Sequence, residues 1–157
     1  MPSTTRSLEE RVQRLEDIEE IRKLTAVYAD HVNKGWIGKE VAFDRLAEVF
    51  APDAVWESAA MGVKAEGLDA IVAMLRERTA AGSFAMHSFT NPVIDVDGDA
   101  ATGEWLLWVA VAQAGTPNEV HQSENLRYTR TPDGWRVQHL TLHFGQLLLT
   151  PVVTGQR

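Results

Sequence analysis

The 157-residue chain contains no cysteine, which rules out disulfides, thiolate nucleophiles and cysteine-ligated metals. Positive charge is also in short supply. Fifteen Lys and Arg face 22 Asp and Glu, for a net charge of -7, and a nucleic-acid partner would need a basic face. No apolar stretch is long enough to span a bilayer. The opening Met1-Pro-Ser-Thr-Thr-Arg-Ser7 lacks the apolar centre of a leader peptide. These features predict a cytoplasmic protein with neither nucleic acid nor membrane as partner. No glycine-rich phosphate loop, nucleotide fingerprint or Ser-His-Asp pattern is present, and the stretch Met61 to Gly67 does not have those spacings. No organic cofactor is expected. What remains is an ordinary globular composition, 45% apolar and 24% charged. One domain over 1–157 is the expectation, and a chain of this length buries roughly 70% of its unfolded surface.

Helical signals come first along the chain. Ser7 and Glu10 have capping-box spacing. Leu15, Ile18, Ile21, Leu24, Thr25, Tyr28 and Val32 then recur at helical intervals, and Gly35 offers a stop. The pattern predicts a second helix near Lys39–Phe50, ended by Pro52, and a third near Leu68–Ala80. Between them lie a short strand at Ala54–Glu57 and its hairpin partner at Met61–Ala65. Four long strands follow. His87–Val96 and Ala100–Ala112 flank Asp97-Gly98-Asp99; Val120–Thr131 and Trp135–Leu149 flank Pro132-Asp133-Gly134. Helices segregated from a strand meander argue for an α+β fold with a mainly antiparallel sheet.

Four phrases, "LEDIEEIRKLTAVYAD", "LAEVFAPDAVWE", "HSFTNPVIDVDGDAATGEW" and "YTRTPDGWRV", together with the order of elements, resemble the SnoaL-like branch of the NTF2-like superfamily. The resemblance implies a cone: three N-terminal helices on a curved sheet, enclosing an apolar pocket. It covers nearly the whole chain and is specific for fold. Function is another matter, because the superfamily holds isomerases, dehydratases, cyclases, epoxide hydrolases, oxygenase small subunits and non-catalytic binders. The chain is most similar in pattern to bile acid 7α-dehydratases, hexachlorocyclohexane dehydrochlorinases and scytalone dehydratase-type proteins. The first two pair a helix-borne Asp with a strand-borne His. By that resemblance His87 is the catalytic His, Tyr28 matches the dehydratase Tyr, Trp56 is a pocket Trp, and Asn33 stands at the Asp position. Asn cannot hold an imidazolium as a carboxylate does.

The strands add further candidates. With a two-residue Asp97-Gly98 loop, His87 lies across from Trp108 on one sheet face. Its ordinary pKa suits acid–base work near neutrality. A core histidine satisfied by a backbone group is the plain alternative. Trp135 and Val137 read as inward, so His139 and His143 share their face unless a bulge intervenes. Those two His alone cannot hold one ion, because four strand residues separate them by about 13 Å. The same pairing puts Gln122, Glu124, Leu126 and Tyr128 inside, with Glu124 the remaining carboxylate partner for a pocket histidine or else a solvated strand residue near the mouth. Trp56, Trp108, Glu124, Tyr128 and His139 are thus the expected substrate-binding set. The Gly103–Ala112 strand is apolar on both faces, and Leu140, Leu142 and Phe144 form a second outer patch, so a homo-oligomer, dimer or trimer, is expected. The apolar tail from Gln146 would cover a pocket mouth or a neighbouring subunit.

Two readings stay open. One is a cofactor-independent enzyme working by proton transfer on a small apolar, probable ring-shaped molecule, as dehydratase, isomerase or cyclase. The other is a small-molecule binding protein or accessory oxygenase subunit, which Asn33 favours.

Overall fold

A computed structural model describes residues 6–113 and 116–149. The first helix, α1 (Leu8–Val32), begins as its sequence predicts. The Ser7 hydroxyl accepts from the Glu10 amide at 3.1 Å, and the Glu10 carboxylate accepts from the Ser7 amide at 2.6 Å. Its buried stripe includes Ile21, Leu24, Thr25, Tyr28 and Val32. Asn33, not Gly35, stops the helix: its backbone is extended (φ -75°, ψ 147°) and only its amide still bonds back, to the Ala29 carbonyl. Gly35 serves a different need. The loop presses so closely on the next layer that a Cβ there would lie 2.4 Å from the Ser83 carbonyl oxygen, and φ is +96°.

The second expected helix is not formed. Only a 3-10 turn, Phe43–Glu48, occurs. Tertiary pairing takes the rest: the Val137 amide donates to the Val49 carbonyl at 2.8 Å, and Phe50 already pairs with Val137. The described residues therefore hold two α-helices, α1 and α2 (Leu68–Thr79), rather than three. Pro52 falls inside strand β1 (Phe50–Ser58), in the stretch between Phe50 and Val55 where the register shifts, so no ladder bond is lost there.

Six strands make one open, curved sheet. After β1 come β2 (Val63–Glu66), β3 (Gly82–Asp97), β4 (Ala100–Gln113), β5 (Thr116–Thr131) and β6 (Gly134–Leu149). The spatial order is β2-β1-β6-β5-β4-β3, with β1 and β6 parallel and every other pair antiparallel. Ile21, Leu46, Val49, Phe50, Ile71, Leu126, Val137 and Leu140 form the dry centre between helices and sheet. One end is latched by Asp17 of α1. Its Oδ1 accepts from Arg130 at 2.8 Å, from Trp135 Nε1 at 3.3 Å and from Gln13 at 3.2 Å.

Three local irregularities decide what faces inward. The β3–β4 loop is Gly98-Asp99, because Asp97 pairs with Ala100. A further slip occurs between Thr90 and Val93, where Asn91 takes φ +50°. His87 therefore pairs with Val109, and Trp108 pairs with Ser88. This corrects the expected His87–Trp108 pairing: Trp108 points outward, 55% exposed and stacked on His121 at 5.1 Å. A one-residue slip reverses every side chain. In β6 a bulge at Gln138 lets Tyr128 pair with Val137 and Arg127 with His139. Val137 stays inside, but His139, Thr141 and His143 turn outward, while Leu140 and Leu142 are buried. The expected outer patch of Leu140, Leu142 and Phe144 thus belongs to the inner face. A second bulge falls at Gly145, where a Cβ would come 2.6 Å from the His121 carbonyl oxygen. Of the apolar tail, Gln146–Leu149 ends β6, and 150–157 lie outside the described residues.

Candidate functional site

The α1–β3 junction is built by neighbouring backbone and side-chain bonds. Lys34 and Ala85 exchange two backbone hydrogen bonds, each 3.0 Å. One step inward, Asn33 Oδ1 accepts from the His87 amide at 2.7 Å and lies 3.0 Å from His87 Nδ1. This geometry settles the chemistry of both side chains. A backbone N–H can only donate, so the carboxamide atom facing it is the oxygen. The ring nitrogen facing that oxygen must then carry hydrogen. His87 is held as the Nδ1–H tautomer, with the lone pair on Nε2. Nε2 has no hydrogen-bond partner among the described residues. Burial without a facing carboxylate disfavours the imidazolium and lowers its pKa to about 4.

His87 forms part of the wall of an apolar cavity of about 280 Å³, and Asn33 stands behind it. Leu107, Val109 and Val111 of β4 run along one side, and Val32, Leu75 and Leu142 help close the others. Two further expected residues meet at the inner end. The Tyr28 hydroxyl accepts from Trp56 Nε1 at 3.3 Å, which leaves its own hydrogen free. Burial first, and Glu124 second, push the Tyr28 phenol above its ordinary value, so it is a neutral donor. Glu124 is 2% exposed and lines the same cavity, and its Oε2 has no partner. Burial pushes its carboxyl up to about 8, so it is mainly protonated at neutral pH.

Two expected residues lie elsewhere. Tyr128 is on the inner face as anticipated, but it is locked into packed core beyond the cavity. Its hydroxyl is 2.9 Å from Thr25 Oγ1 and accepts from Trp105 Nε1 at 3.1 Å, because α1 closes over that end. His139 is on the outer face, with Nε2 2.8 Å from Glu57 Oε1 and Nδ1 against Arg127. Trp108 is outside for the reason of register given above. The structure thus brings Tyr28, Asn33, Trp56, His87 and Glu124 together and separates Trp108, Tyr128 and His139 from them. Sequence reasoning missed Lys34, Arg78, Leu142 and Phe144 as lining residues. Gly145 was an available signal for a β6 bulge; Gln138 gives none.

An open, mainly antiparallel sheet wrapped on helices, with a polar cluster in its apolar concavity, defines an NTF2-like protein. The chain belongs to the SnoaL-like domain family, whose model matches residues 13–141. An NTF2-like protein with a cystatin-like fold from Novosphingobium aromaticivorans is 27% identical, with a TM-score of 0.70 over 87% of each chain. A hexachlorocyclohexane dehydrochlorinase from Novosphingobium barchaimii LL02 is 15% identical, with a TM-score of 0.78 over 94% of this chain and 99% of its own. A candidate scytalone dehydratase from Novosphingobium aromaticivorans is 15% identical, with a TM-score of 0.74 over 90% and 97%. No protein of curated function matches the chain. No described helix is long and apolar enough to cross a membrane.

Proposed function

We propose that the protein is a cofactor-independent enzyme that moves protons on a small, apolar, ring-shaped substrate, by dehydration, isomerisation or cyclisation. The observation that carries this reading is the His87–Asn33 pair, which directs an unoccupied basic nitrogen along the wall of an apolar cavity that also holds a protonated carboxyl. His87 Nε2 is the base. Glu124 is the acid, and the Tyr28 hydroxyl hydrogen-bonds a substrate oxygen. Trp56 positions Tyr28 and gives a flat wall to a ring. The base must be neutral and the acid protonated, so activity should hold between about pH 4 and about pH 8 and fall outside.

The dehydrochlorinase and dehydratase among the structural relatives support this class of chemistry by fold alone. A second reading, a ligand-binding protein, is favoured by Asn33, since an imidazole with a pKa near 4 is a weak base. Exchange of the α-protons of 2-tetralone in D₂O, followed by proton NMR, separates the two. An enzyme should accelerate exchange, and His87→Ala should abolish the acceleration. Exchange no faster with the native protein than with His87→Ala removes the acid–base reading. A homo-oligomer, dimer or trimer, remains part of the proposal. It is supported by outward Leu106 and Trp108, 46% and 55% exposed, and sedimentation velocity tests it.

A further inference from the structure

The cavity is longer than the acid–base pair requires. Its β4 wall runs from Leu107 to Gln113, seven residues spanning about 20 Å. Glu124 pairs with Trp105 near one end, and His87 pairs with Val109 midway. At the far end Gln113 pairs with Gly82, and exposed residues collect there. This outer end carries two cations, although the chain as a whole has a net charge of -7.

Neither cation has a close protein partner among the described residues. Lys34 is held in place by the backbone bridge to Ala85, and its side chain is only 16% exposed. Its ammonium donates to the Thr79 carbonyl at a long 3.4 Å and lies 3.8 Å from the exposed Glu40 carboxylate. Arg78, at the end of α2, is exposed, and among the described residues its one contact is a long 3.5 Å bond from Nη2 to the Met61 carbonyl. A guanidinium carries five donors, so most of its capacity is free. Both side chains belong to the cavity lining; Lys34 reaches the Thr79 carbonyl at the end of α2, one residue after Arg78, and Arg78 reaches the Met61 carbonyl in the β1–β2 turn. A partly desolvated ammonium beside apolar walls calls for an anion, and a guanidinium on the same cavity lining suits a carboxylate fork.

We propose that Lys34 and Arg78 form an anion seat at the cavity mouth, and that the substrate is an apolar body bearing a carboxylate or similar acidic group. This rests on the reading of the cavity as the substrate site. It adds a polarity to it: the acidic end sits at the mouth, and the reacting carbon lies several bonds deeper, beside His87. Lys34 follows Asn33 directly, so the same α1–β3 junction that orients the base also places the seat.

The test uses two fluorescent probes of nearly the same apolar body, anionic 1-anilinonaphthalene-8-sulfonate and neutral N-phenyl-1-naphthylamine. The native protein should bind the anionic probe more tightly, and added salt should weaken that preference. Lys34→Met with Arg78→Met should weaken the anionic probe about tenfold and leave the neutral one unchanged. Lys34→Arg with Arg78→Lys should retain the preference, which guards against loss of fold as the cause. Equal weakening of both probes, or an unchanged preference in the Met variants, overturns the seat while leaving the cavity intact. Binding of neither probe overturns the cavity reading as well. His87→Ala should leave the probe preference unaltered, so a failure of the catalytic reading is distinguishable from a failure of the seat.

Discussion

Asp17 and Glu124 are both buried carboxyls, 3% and 2% exposed, yet they are treated oppositely. Burial alone would raise the pKa of Asp17, but hydrogen bonds from Arg130, Trp135 and Gln13 outweigh it and hold the carboxyl below its ordinary value. Glu124 has a partnerless Oε2, and burial raises it to about 8. The first is a structural latch that fastens α1 to the β5–β6 hairpin. The second is a polar group with no protein partner among the described residues, facing an apolar cavity. A fold that can satisfy one buried carboxylate so fully has the means to satisfy another, so the difference sets the cavity apart and supports the acid–base reading proposed for it.

The comparison can be broken by substitution. His87→Ala should lower turnover by about 10²–10⁴-fold with the fold intact by circular dichroism, because the base is lost but no ion pair is. Asp17→Ala should do the reverse. It leaves the Trp135 N–H unpaired and Arg130 with Asp99 as its remaining partner, costs about 2 kcal/mol in urea unfolding, and leaves the pH profile of activity alone. Glu124→Gln should stabilise the protein at pH 8 by about 4 kcal/mol, while lowering turnover because the amide cannot donate the proton. The sign follows from linkage. Between the ordinary value of 4.5 and about 8, the folded protein keeps a proton that the unfolded chain has lost. Stability is therefore full below about 4.5 and falls as pH rises towards 8, and the Gln variant lacks that slope. A native-minus-variant difference in melting temperature that stays flat over this range would show Glu124 to be ordinary.

The smallest effect sharpens the other half of the site. Asn33→Asp keeps an acceptor for the His87 amide and Nδ1–H but adds a charge, so it should raise the His87 pKa from about 4. The imidazole resonance followed by NMR against pH should shift its midpoint upward by about 1–2 units. An unchanged midpoint would mean that Asn33 does not set the basicity of the ring.

Local signals were legible where local physics decides. The capping box, the amphipathic stripe ending in Tyr28, the hairpin punctuation at Gly98 and Gly134, and the α+β class follow from neighbours within a few residues. Tyr28 and Glu124 face the cavity as helix and strand periodicity predicts, and Trp56 lines it and Asn33 stands behind its wall, the two positions that the family resemblance singled out. Trp108, His139 and the Leu140–Phe144 patch do not face as periodicity predicts, because face parity over a long strand is cumulative. The one-residue slip between Thr90 and Val93 and the Gln138 bulge each invert everything beyond them.

The amino-acid sequence by itself determined the order of elements, the absence of thiol chemistry, the acidic balance and the apolar face of α1. Only the tertiary structure decided that Phe50 would join a strand, that the β3–β4 register would expel Trp108, and that Asn33 would fix the tautomer of His87. The physical reason is range. Propensity and capping act over a few residues, whereas register, bulges and the desolvation of a buried carboxyl depend on groups far apart in the chain that meet only when the sheet closes over the helices.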